Sequence, residues 1–201
     1  MPIGWGVLRN YSEHAREMGA EAPKSPMFFI MPPSSLTQVN GIHHIIHPGP
    51  SILLHHEVEF VIQIGHDGTP YRCGVGLDLT NRTAQRLAKS EGLPWTDAKG
   101  FPMSGPHSNL IPFELTEYEI KLEINGEIRQ HGKISDMVHN VGELFKAIHS
   151  RFVPESGDII FTGSPQGVGP LFPGDRLVAS LWQNDVCATY FEAEVLASEN
   201  Y

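Results

Sequence analysis

The chain has 201 residues, of which 40% are apolar and 18% are charged, and its formal net charge is −9. This length and composition are those of one ordinary globular domain with a sizeable core. The acidic charge and the lack of a lysine or arginine cluster argue against a nucleic acid or an anionic membrane as partner, and they suit a protein that binds cations.

The cysteines and the N-terminal residues bear on location. Cys73 and Cys187 are widely separated and lack metal or redox spacing, so we expect buried free thiols in a cytosolic protein. No apolar run approaches the ~18 residues of a membrane span, and Met1–Trp5 lacks the basic and apolar regions of a signal peptide. We therefore expect a cytoplasmic protein with no membrane partner.

A short helix is predicted near the N-terminus. Residues 10–19 can form a helix that begins at Ser12, a plausible N-cap, and stops at Gly19. His14 and Glu17 are three residues apart and share a face of this helix, where they can hydrogen-bond. On local grounds alone this is typical of an exposed helical pair.

Short strands separated by prolines surround this helix. Residues 3–8 and 27–30 predict two of them, and Ile42–Pro48 predicts a third that enters a turn. Three histidines in this region suggest a metal patch, but no carboxylate or thiolate stands at ligand spacing nearby, so a plain strand is preferred. They are His43, His44 and His47.

Two carboxylates stand two residues apart in the apolar stretch His55–Ile62, which reads as a strand. Successive side chains of a strand alternate faces, so Glu57 and Glu59 share one face at a separation of about 7 Å, while His56 points to the other. Such a face is solvated, paired with basic residues, or occupied by a cation. The spacing alone leaves these alternatives open.

A second strand-like run, Tyr71–Thr80, contains an acidic residue near its end. An acid that closes a strand is usually a helix N-cap, so Asp78 could cap the helix predicted over Arg82–Glu91. That helix should stop at Gly92.

The second half of the chain predicts a hairpin, a helix and three more strands. Residues 119–124 and 127–130 flank Asn125-Gly126, a strong hairpin signal, with their charges on a solvated face. A helix over about 140–150 should point three apolar residues inward, namely Leu144, Ile148 and Phe152. A buried strand over 157–163 and closing strands over 175–180 and 190–196 follow.

The loop after residue 163 is rich in glycine and proline and carries Ser164. It lacks the Gly-Lys-Ser/Thr ending of a phosphate-binding loop, so that function is rejected. A hydroxyl on a rigid loop after a buried strand is nonetheless well placed to bind a ligand.

Six motifs follow one another along the chain: Arg9-Asn10-Tyr11-x-x-His14-x-x-Glu17-Met18-Gly19, Pro32-Pro33-Ser34-Ser35, His56-Glu57-Val58-Glu59, Asp78-Leu79-Thr80-x-Arg82, Lys99-Gly100-Phe101 and Thr162-Gly163-Ser164-Pro165-x-Gly167-Val168-Gly169-Pro170. Each motif is weak alone, but their order and spacing are specific. Together they resemble the fumarylacetoacetate hydrolase family over about residues 5–195. The chain is most similar to the small single-domain acylpyruvase and oxaloacetate-decarboxylase members.

The resemblance implies a mixed α+β, mostly β fold, with a β-roll or sandwich and short peripheral helices. Residues 1–201 would form one catalytic domain, with an N-terminal strand and lid helix in 1–40 and the β-roll core in 41–201. It also implies a homodimer.

The resemblance further implies a site for Mg²⁺ or Mn²⁺ on Glu57, Glu59 and Asp78, and three hard oxygen ligands suit such an ion. The implied catalytic residues are His14 and Glu17, a general-base pair that orders over bound substrate, together with Lys99. The implied substrate-binding residues are Arg9, Arg82, Gln85, Gly163 and Ser164. His56 would be a neighbour of the metal ligands and not itself a ligand.

The implied reaction is metal-dependent hydrolysis of the C–C bond of an acylpyruvate-type 1,3-diketo acid, which gives pyruvate and a carboxylic acid. The same groups suit an oxaloacetate decarboxylase or tautomerase, or an isomerase or decarboxylase of 2-hydroxyhepta-2,4-diene-1,7-dioate in aromatic catabolism. A catalytically weak homologue that binds a metal and a dicarboxylate is a further alternative. Met31 and Thr83 stand where members of the family commonly carry lysine and aspartate, and these departures bear on the substrate.

Overall fold

Strands dominate the fold. The computed structural model of the chain describes residues 1–17, 19 and 21–198. That part of the chain contains sixteen strands: β1 Gly4–Val7, β2 Phe28–Met31, β3 Leu36–Gln38, β4 Ile42–His47, β5 Leu54–His56, β6 Val58–Ile64, β7 Pro70–Leu77, β8 Thr80–Asn81, β9 Gly105–His107, β10 Ile111–Pro112, β11 Tyr118–Ile124, β12 Glu127–Lys133, β13 Ile159–Phe161, β14 Gly169–Pro170, β15 Arg176–Gln183 and β16 Val186–Ala197. It also contains α1 Ser12–Glu17, α2 Arg82–Glu91, α3 Thr96–Lys99 and α4 Val141–Arg151, and the 3₁₀ turns Pro33–Ser35 and Ile134–Asp136. The mixed, mostly β fold class with short peripheral helices is confirmed.

The largest sheet draws its strands from both ends of the chain. Its order is β2-β1-β13-β6-β7-β9-β3, and β10 also pairs with β7. β1 runs parallel to β13, with Gly4 opposite Ile159. Three strands from residues 1–40 therefore belong to the sheet that carries β6 and β7.

A five-stranded sheet, β12-β11-β15-β16-β4, packs on the first, and a three-stranded sheet, β14-β5-β8, lies beside them. The inward residues of β11 alternate with half-buried ones, so that Tyr118, Ile120 and Leu122 join one core cluster with Phe60 and Leu77 of the large sheet. The Phe60 and Tyr118 rings lie 5.3 Å apart. Burial of apolar area at about 25 cal/mol per Å² stabilises the packing of these two sheets.

The predicted N-terminal helix is present as α1; Met18, within its predicted span, lies outside the described residues. Helix α2 ends as predicted at Gly92, which takes a left-handed conformation with φ 67°. The prediction that Asp78 caps α2 is wrong. The cap is Asn81, whose side chain accepts a hydrogen bond from the Ala84 backbone N–H, because two residues of β8 intervene between Asp78 and the helix.

Helix α4 buries Leu144 and Ile148 as predicted. Phe152 was expected to point inward, but it is 38% exposed, because the helix ends at Arg151 and Phe152 has an extended backbone. Its ring instead lies 5.0 Å from that of Trp5. None of the four described helices is long and apolar enough to cross a membrane.

The hairpin of β11 and β12 is confirmed. Asn125 and Gly126 at its turn have positive φ angles of 54° and 82°, which suit a two-residue hairpin turn. Cys73 is a buried free thiol as predicted, but the expectation of burial is wrong for Cys187, which is exposed. Cys187 is the second residue of β16, and only Val186 separates it from the Asn184-Asp185 turn.

Candidate metal and active site

Three buried carboxylates meet where β6 begins and β7 ends. The predicted single strand is broken at Glu57, which lies between β5 and β6, while Glu59 is the second residue of β6. Asp78 directly follows β7, and its backbone N–H donates to the Glu57 carbonyl at 2.8 Å. One ligand oxygen of each of the three lies within 4.8 Å of the others, so Glu57 and Glu59 do face the same side despite the break.

This carboxylate cluster, Glu57, Glu59 and Asp78, fits a divalent cation. Its members are 6%, 2% and 1% exposed, and buried carboxylates require a counter-charge. Asp78 Oδ1 is buried and has no hydrogen-bond partner among the described residues. Hard oxygen donors of this kind suit Mg²⁺, Mn²⁺ or Ca²⁺. No second group of three such ligands occurs in the described ranges, so the histidines of β4 do not form one.

Two cationic side chains contact the carboxylate cluster. Lys99 Nζ lies 3.1 Å from Glu57 Oε2 and also contacts Asp78 Oδ2. Arg82 Nη2 lies 2.6 Å from Glu57 Oε1, and Arg82 Nη1 donates to Gln85 Oε1 at 2.7 Å. Burial would raise the pKa of Glu57, but Lys99 and Arg82 outweigh it and lower that pKa to about 2. Glu57 is therefore ionised.

The other two carboxylates resist ionisation. Burial raises the pKa of Asp78 to about 6, against the attraction of Lys99 and with the repulsion of Glu57. Burial, followed by the charges of Asp78 and Glu57, raises the pKa of Glu59 well above its usual range. The Gly163 backbone N–H donates to Glu59 Oε2 at 2.7 Å. Full ionisation of the carboxylate cluster therefore needs further positive charge, which a divalent cation would supply.

Helix α1 presents a histidine and a glutamate beside the carboxylate cluster. His14 is 5% exposed, and its Nδ1 lies 3.3 Å from Glu17 Oε2. A carboxylate only accepts, so Nδ1 donates and Nε2 is left to exchange a proton. Glu17 in turn accepts from the Gly167 N–H at 3.3 Å to either oxygen.

Asn10 anchors the start of α1. Its amide donates to the carbonyls of Thr162 (2.8 Å) and His139 (3.0 Å), and it accepts from the His139 N–H (2.8 Å). All of these contacts lie within the protein interior, because Asn10 is 0% exposed. The helix that carries His14 is thereby tied to the end of β13.

A cavity of about 140 Å³ brings these groups together. Nine of the residues predicted for the site line it: Arg9, His14, Glu57, Glu59, Asp78, Arg82, Gln85, Lys99 and Ser164. The other two predicted residues do not line the cavity but contact residues that do: Glu17 is hydrogen-bonded to His14, and the Gly163 backbone N–H donates to Glu59. His56 is buried and faces Gln130.

The remaining lining residues had not been predicted: Val7, Leu8, Phe29, Lys89 and Trp95. Lys89 stands over the Trp95 ring at 5.2 Å. A helical reading of α2 would have found it, because Lys89 is four residues after Gln85 and seven after Arg82. The aromatic residues carried no such signal.

Met31 and Thr83, which stand where the family commonly carries lysine and aspartate, lie outside the cavity wall. Met31 is 0% exposed and packs in a core cluster with Val61 and Phe161. Thr83 Oγ1 accepts from the Leu53 N–H at 3.0 Å. Arg82 is instead held by Glu57 and Gln85.

Residues 4–192 match the family described as Fumarylacetoacetate (FAA) hydrolase C-terminal. The chain belongs to the fumarylacetoacetate hydrolase family. Among relatives, it is 40% identical to a mitochondrial oxaloacetate decarboxylase of Dictyostelium discoideum, over 84% of this chain and 83% of that protein. It is 37% identical to an oxaloacetate tautomerase of Escherichia coli, over 87% of this chain and 85% of that protein.

A solved structure of the same family resembles the whole chain. Fumarylpyruvate hydrolase from Pseudomonas aeruginosa, in complex with Mn²⁺ and pyruvate, superposes with a TM-score of 0.89 at 28% identity. The match covers 98% of this chain and 91% of that one. Family and fold are thus shown together.

Proposed function

We propose that the chain is a divalent-metal-dependent enzyme that interconverts the keto and enol forms of a small 2-oxo dicarboxylate, in the first place oxaloacetate, or decarboxylates it. One observation carries the proposal: a single cavity holds the buried carboxylate cluster together with two cations nearer the surface, Arg9 and Lys89, that form no ion pair with any acidic residue of the described chain. The carboxylate cluster suits a metal ion that an oxo acid chelates, and the two cations suit a further carboxylate of the same substrate. The names of the relatives support the same substrate.

The carboxylate cluster would hold Mg²⁺ or Mn²⁺, and such an ion would polarise the 2-oxo group and ease loss of a proton from the adjacent carbon. His14 Nε2 would take that proton, and Glu17 holds the ring in the tautomer that can accept it. Return of the proton to carbon or to the oxo oxygen completes the interconversion. Lys99 and Arg82 fix the position of Glu57.

Hydrolysis of an acylpyruvate, as predicted from the sequence, is the second candidate, and the His14–Glu17 pair favours it. Here His14 would take a proton from water, whose oxygen attacks the distal carbonyl. The C–C bond breaks, its electron pair passes to the pyruvate carbon, and His14 returns the proton there. The products are a carboxylate and pyruvate, the molecule bound in the Pseudomonas structure.

A substrate panel tests the two reactions. Purified protein loaded with Mg²⁺ or Mn²⁺ is given enol oxaloacetate, keto oxaloacetate, acetylpyruvate and fumarylpyruvate, and the loss of each is followed by absorbance. We expect metal-dependent turnover that is fastest with oxaloacetate. Faster cleavage of the acylpyruvates would establish the second candidate, and absence of turnover on all four would leave only metal and dicarboxylate binding.

Lys89 tests the preference for a dicarboxylate. Loss of one charge-assisted hydrogen bond costs about 1.5–3 kcal/mol, so Lys89→Met should raise the KM for oxaloacetate about tenfold or more. The KM for acetylpyruvate, which has a single carboxylate, should change less than about twofold on the same grounds. Lys146→Met, on the exposed side of α4, is the matched control. Equal changes for both substrates would contradict the assignment of Lys89.

Assembly and location are also proposals. We propose a homodimer, supported by the outward face of β4, where Ile42 and Ile46 are 57% and 56% exposed. Sedimentation velocity would test it. We retain the cytoplasm as the expected location, although the Dictyostelium relative is named as mitochondrial, and fractionation of the native cells would decide.

A further inference from the structure

A buried amide connects the segment that carries Glu57 with the loop that carries Ser164. Gln130, on β12, is 1% exposed. Its Oε1 lies 3.0 Å from the Val58 backbone N and 2.9 Å from His56 Nδ1. Its Nε2 donates to Ser164 Oγ and to the Pro165 carbonyl, both at 2.8 Å. Neither the reactions described above nor the sequence motifs assign this residue a role.

Two backbone groups fix the orientation of this amide. The Val58 N–H can only donate, and the Pro165 carbonyl can only accept. A reversed amide would set N–H against N–H and oxygen against oxygen, which leaves buried polar groups unsatisfied at about 1–3 kcal/mol each. Gln130 Oε1 is therefore the acceptor toward Val58, and Nε2 is the donor toward Ser164.

The direction of the Ser164 hydroxyl follows from this orientation. A hydroxyl has one proton, and Ser164 Oγ already accepts from Gln130, so that proton is available to another acceptor. The Pro165 carbonyl is a poor one, because it lies 3.4 Å away and is occupied by Gln130. Ser164 lines the cavity, where an anionic ligand oxygen would be the better acceptor.

We propose that Gln130 is a positioning residue that commits the proton of the Ser164 hydroxyl to an anionic oxygen of the bound ligand. The nature of that ligand, a small oxo acid, rests on the proposed function. The same amide ties Ser164 to the His56–Val58 segment, so the hydrogen-bond donor and the Glu57 carboxylate keep a fixed separation.

The first test uses the unaltered protein. Because Gln130 Oε1 can only accept, His56 must donate through Nδ1 and carry its proton there. Nitrogen-15 NMR of labelled histidines, with the His56 signals assigned by a His56→Gln variant, reads the tautomer directly. We expect a protonated Nδ1. A proton on Nε2 would overturn the proposal, because it requires the reversed amide.

The second test measures oxalate, a small dicarboxylate, on the Mn²⁺-loaded protein by calorimetry. Gln130→Met keeps the length of the side chain and removes its amide, and it should weaken oxalate binding about tenfold, as should Ser164→Ala. The double variant should bind no more weakly than Ser164→Ala alone, because Gln130 acts through that hydroxyl. Affinity within twofold of native for Gln130→Met, or losses that multiply in the double variant, would overturn the proposal.

A second substitution separates positioning from folding. The ionised carboxylate of Gln130→Glu can accept from Val58 and His56 but cannot donate to Ser164 or to the Pro165 carbonyl, so thermal stability should fall as it does in Gln130→Met. Oxalate binding should fall as well, while Mn²⁺ affinity, measured below the melting transition, stays within a few fold of native. Native oxalate affinity in this variant would also overturn the proposal. A protein that binds oxalate as expected but turns over no oxo acid would contradict the proposed function and leave Gln130 in its positioning role.

Discussion

At the scale of single residues, Lys99 determines the charge of the carboxylate cluster. Three carboxylates face two cations, Lys99 and Arg82, so the formal charge of the ionised group is −1. Burial would lower the pKa of Lys99, but Asp78 and Glu57 outweigh it and raise that pKa. Lys99 is therefore charged when it is paired with these two carboxylates, and its charge offsets one of the three negative charges of the cluster.

Asp78 is the sharpest test of the metal site. Asp78→Asn removes a ligand charge and keeps the shape, so Mn²⁺ affinity and kcat/KM should fall together, each by at least about 100-fold. Electron paramagnetic resonance of free Mn²⁺ and steady-state kinetics measure both. The control is Asp97→Asn, on the exposed side of α3. Full activity after exhaustive chelation of the native protein would refute a metal-dependent reaction.

His14 tests the proton transfer. His14→Ala should reduce turnover by about 10²–10⁴-fold, the usual contribution of a general base, because His14 is the only histidine among the described residues that line the cavity. Oxalate affinity of the Mn²⁺-loaded protein should stay within a few fold. His131→Ala, an exposed histidine paired with Glu119, is the control. Native activity in His14→Ala would remove this residue from the mechanism.

At the scale of elements, helices α2 and α4 are both capped by an asparagine but differ in what they contribute to the protein. Asn81 and Asn140 each accept a hydrogen bond from a backbone N–H at 3.0 Å. Helix α4 only covers the core, whereas α2 carries Arg82, Gln85 and Lys89 into the cavity. Loss of the Asn140 cap should therefore lower stability alone, whereas loss of the Asn81 cap should lower stability and also disturb the cavity.

The matched pair Asn140→Ala and Asn81→Ala distinguishes an effect on stability alone from an effect on the cavity. Each should lower the free energy of unfolding by about 1 kcal/mol, measured by urea titration. Asn140→Ala should keep native kinetics, and Asn81→Ala should raise the KM for oxaloacetate. Unchanged KM in Asn81→Ala would show that the start of α2 is positioned by the ion pair of Arg82 with Glu57 rather than by its cap.

Local chemistry made several elements predictable from the sequence. Gly92 stops α2 and Asn125-Gly126 turns the hairpin because each supplies the positive φ that the turn requires. Positions set by distant contacts were not predictable. The strand break at Glu57 depends on pairing of β5 with β8 and β14. Phe152 leaves the α4 face because the helix ends at Arg151, and its ring then packs on Trp5.

At the scale of the whole molecule, buried histidines make the fold sensitive to acid. Burial lowers the pKa of His43, His56 and His107, and it lowers that of His55 to about 4. Between pH 6.5 and those lowered values the unfolded chain binds more protons, so stability is lost as the pH falls through this window. Glu57, with its pKa of about 2, extends the loss below pH 4.5. The raised pKa values of Glu59 and Asp78 oppose the loss in part, because the folded chain binds these two protons more readily than the unfolded chain.

His55 tests this dependence. His55→Gln should reduce by about 1–2 kcal/mol the loss of unfolding free energy between about pH 6.5 and about pH 4, after allowance for solvent screening. Urea titrations at several pH values, with chelator present, measure it. His44→Gln, on the exposed face of β4, should leave the dependence as it is in the native protein. An unaltered dependence in His55→Gln would assign the acid sensitivity to the other groups.

The candidate site likewise contains residues that the sequence predicts and residues whose importance depends on distant contacts. The motifs predicted Glu57, Glu59, Asp78 and His14, which line one cavity, because the order and spacing of the motifs are specific even though each motif is weak alone. Gln130 gave no such signal, since its importance arises from the register of β12 against loops that lie 34 residues or more away in the sequence. Sequence patterns thus report the polar groups that line the cavity better than the groups that orient them.

The place of β1 in the large sheet has a consequence for synthesis of the chain. β1 lies between β2 and β13, and the Ile3 backbone bonds to Asp158 across 155 residues of sequence. On a ribosome, which adds residues in order, the edge of β1 that faces β13 therefore stays unpaired until Ile159–Phe161 have emerged. Such non-local pairing is slow and exposes strand edges, so we expect the nascent chain to be most prone to aggregation before β13 is available.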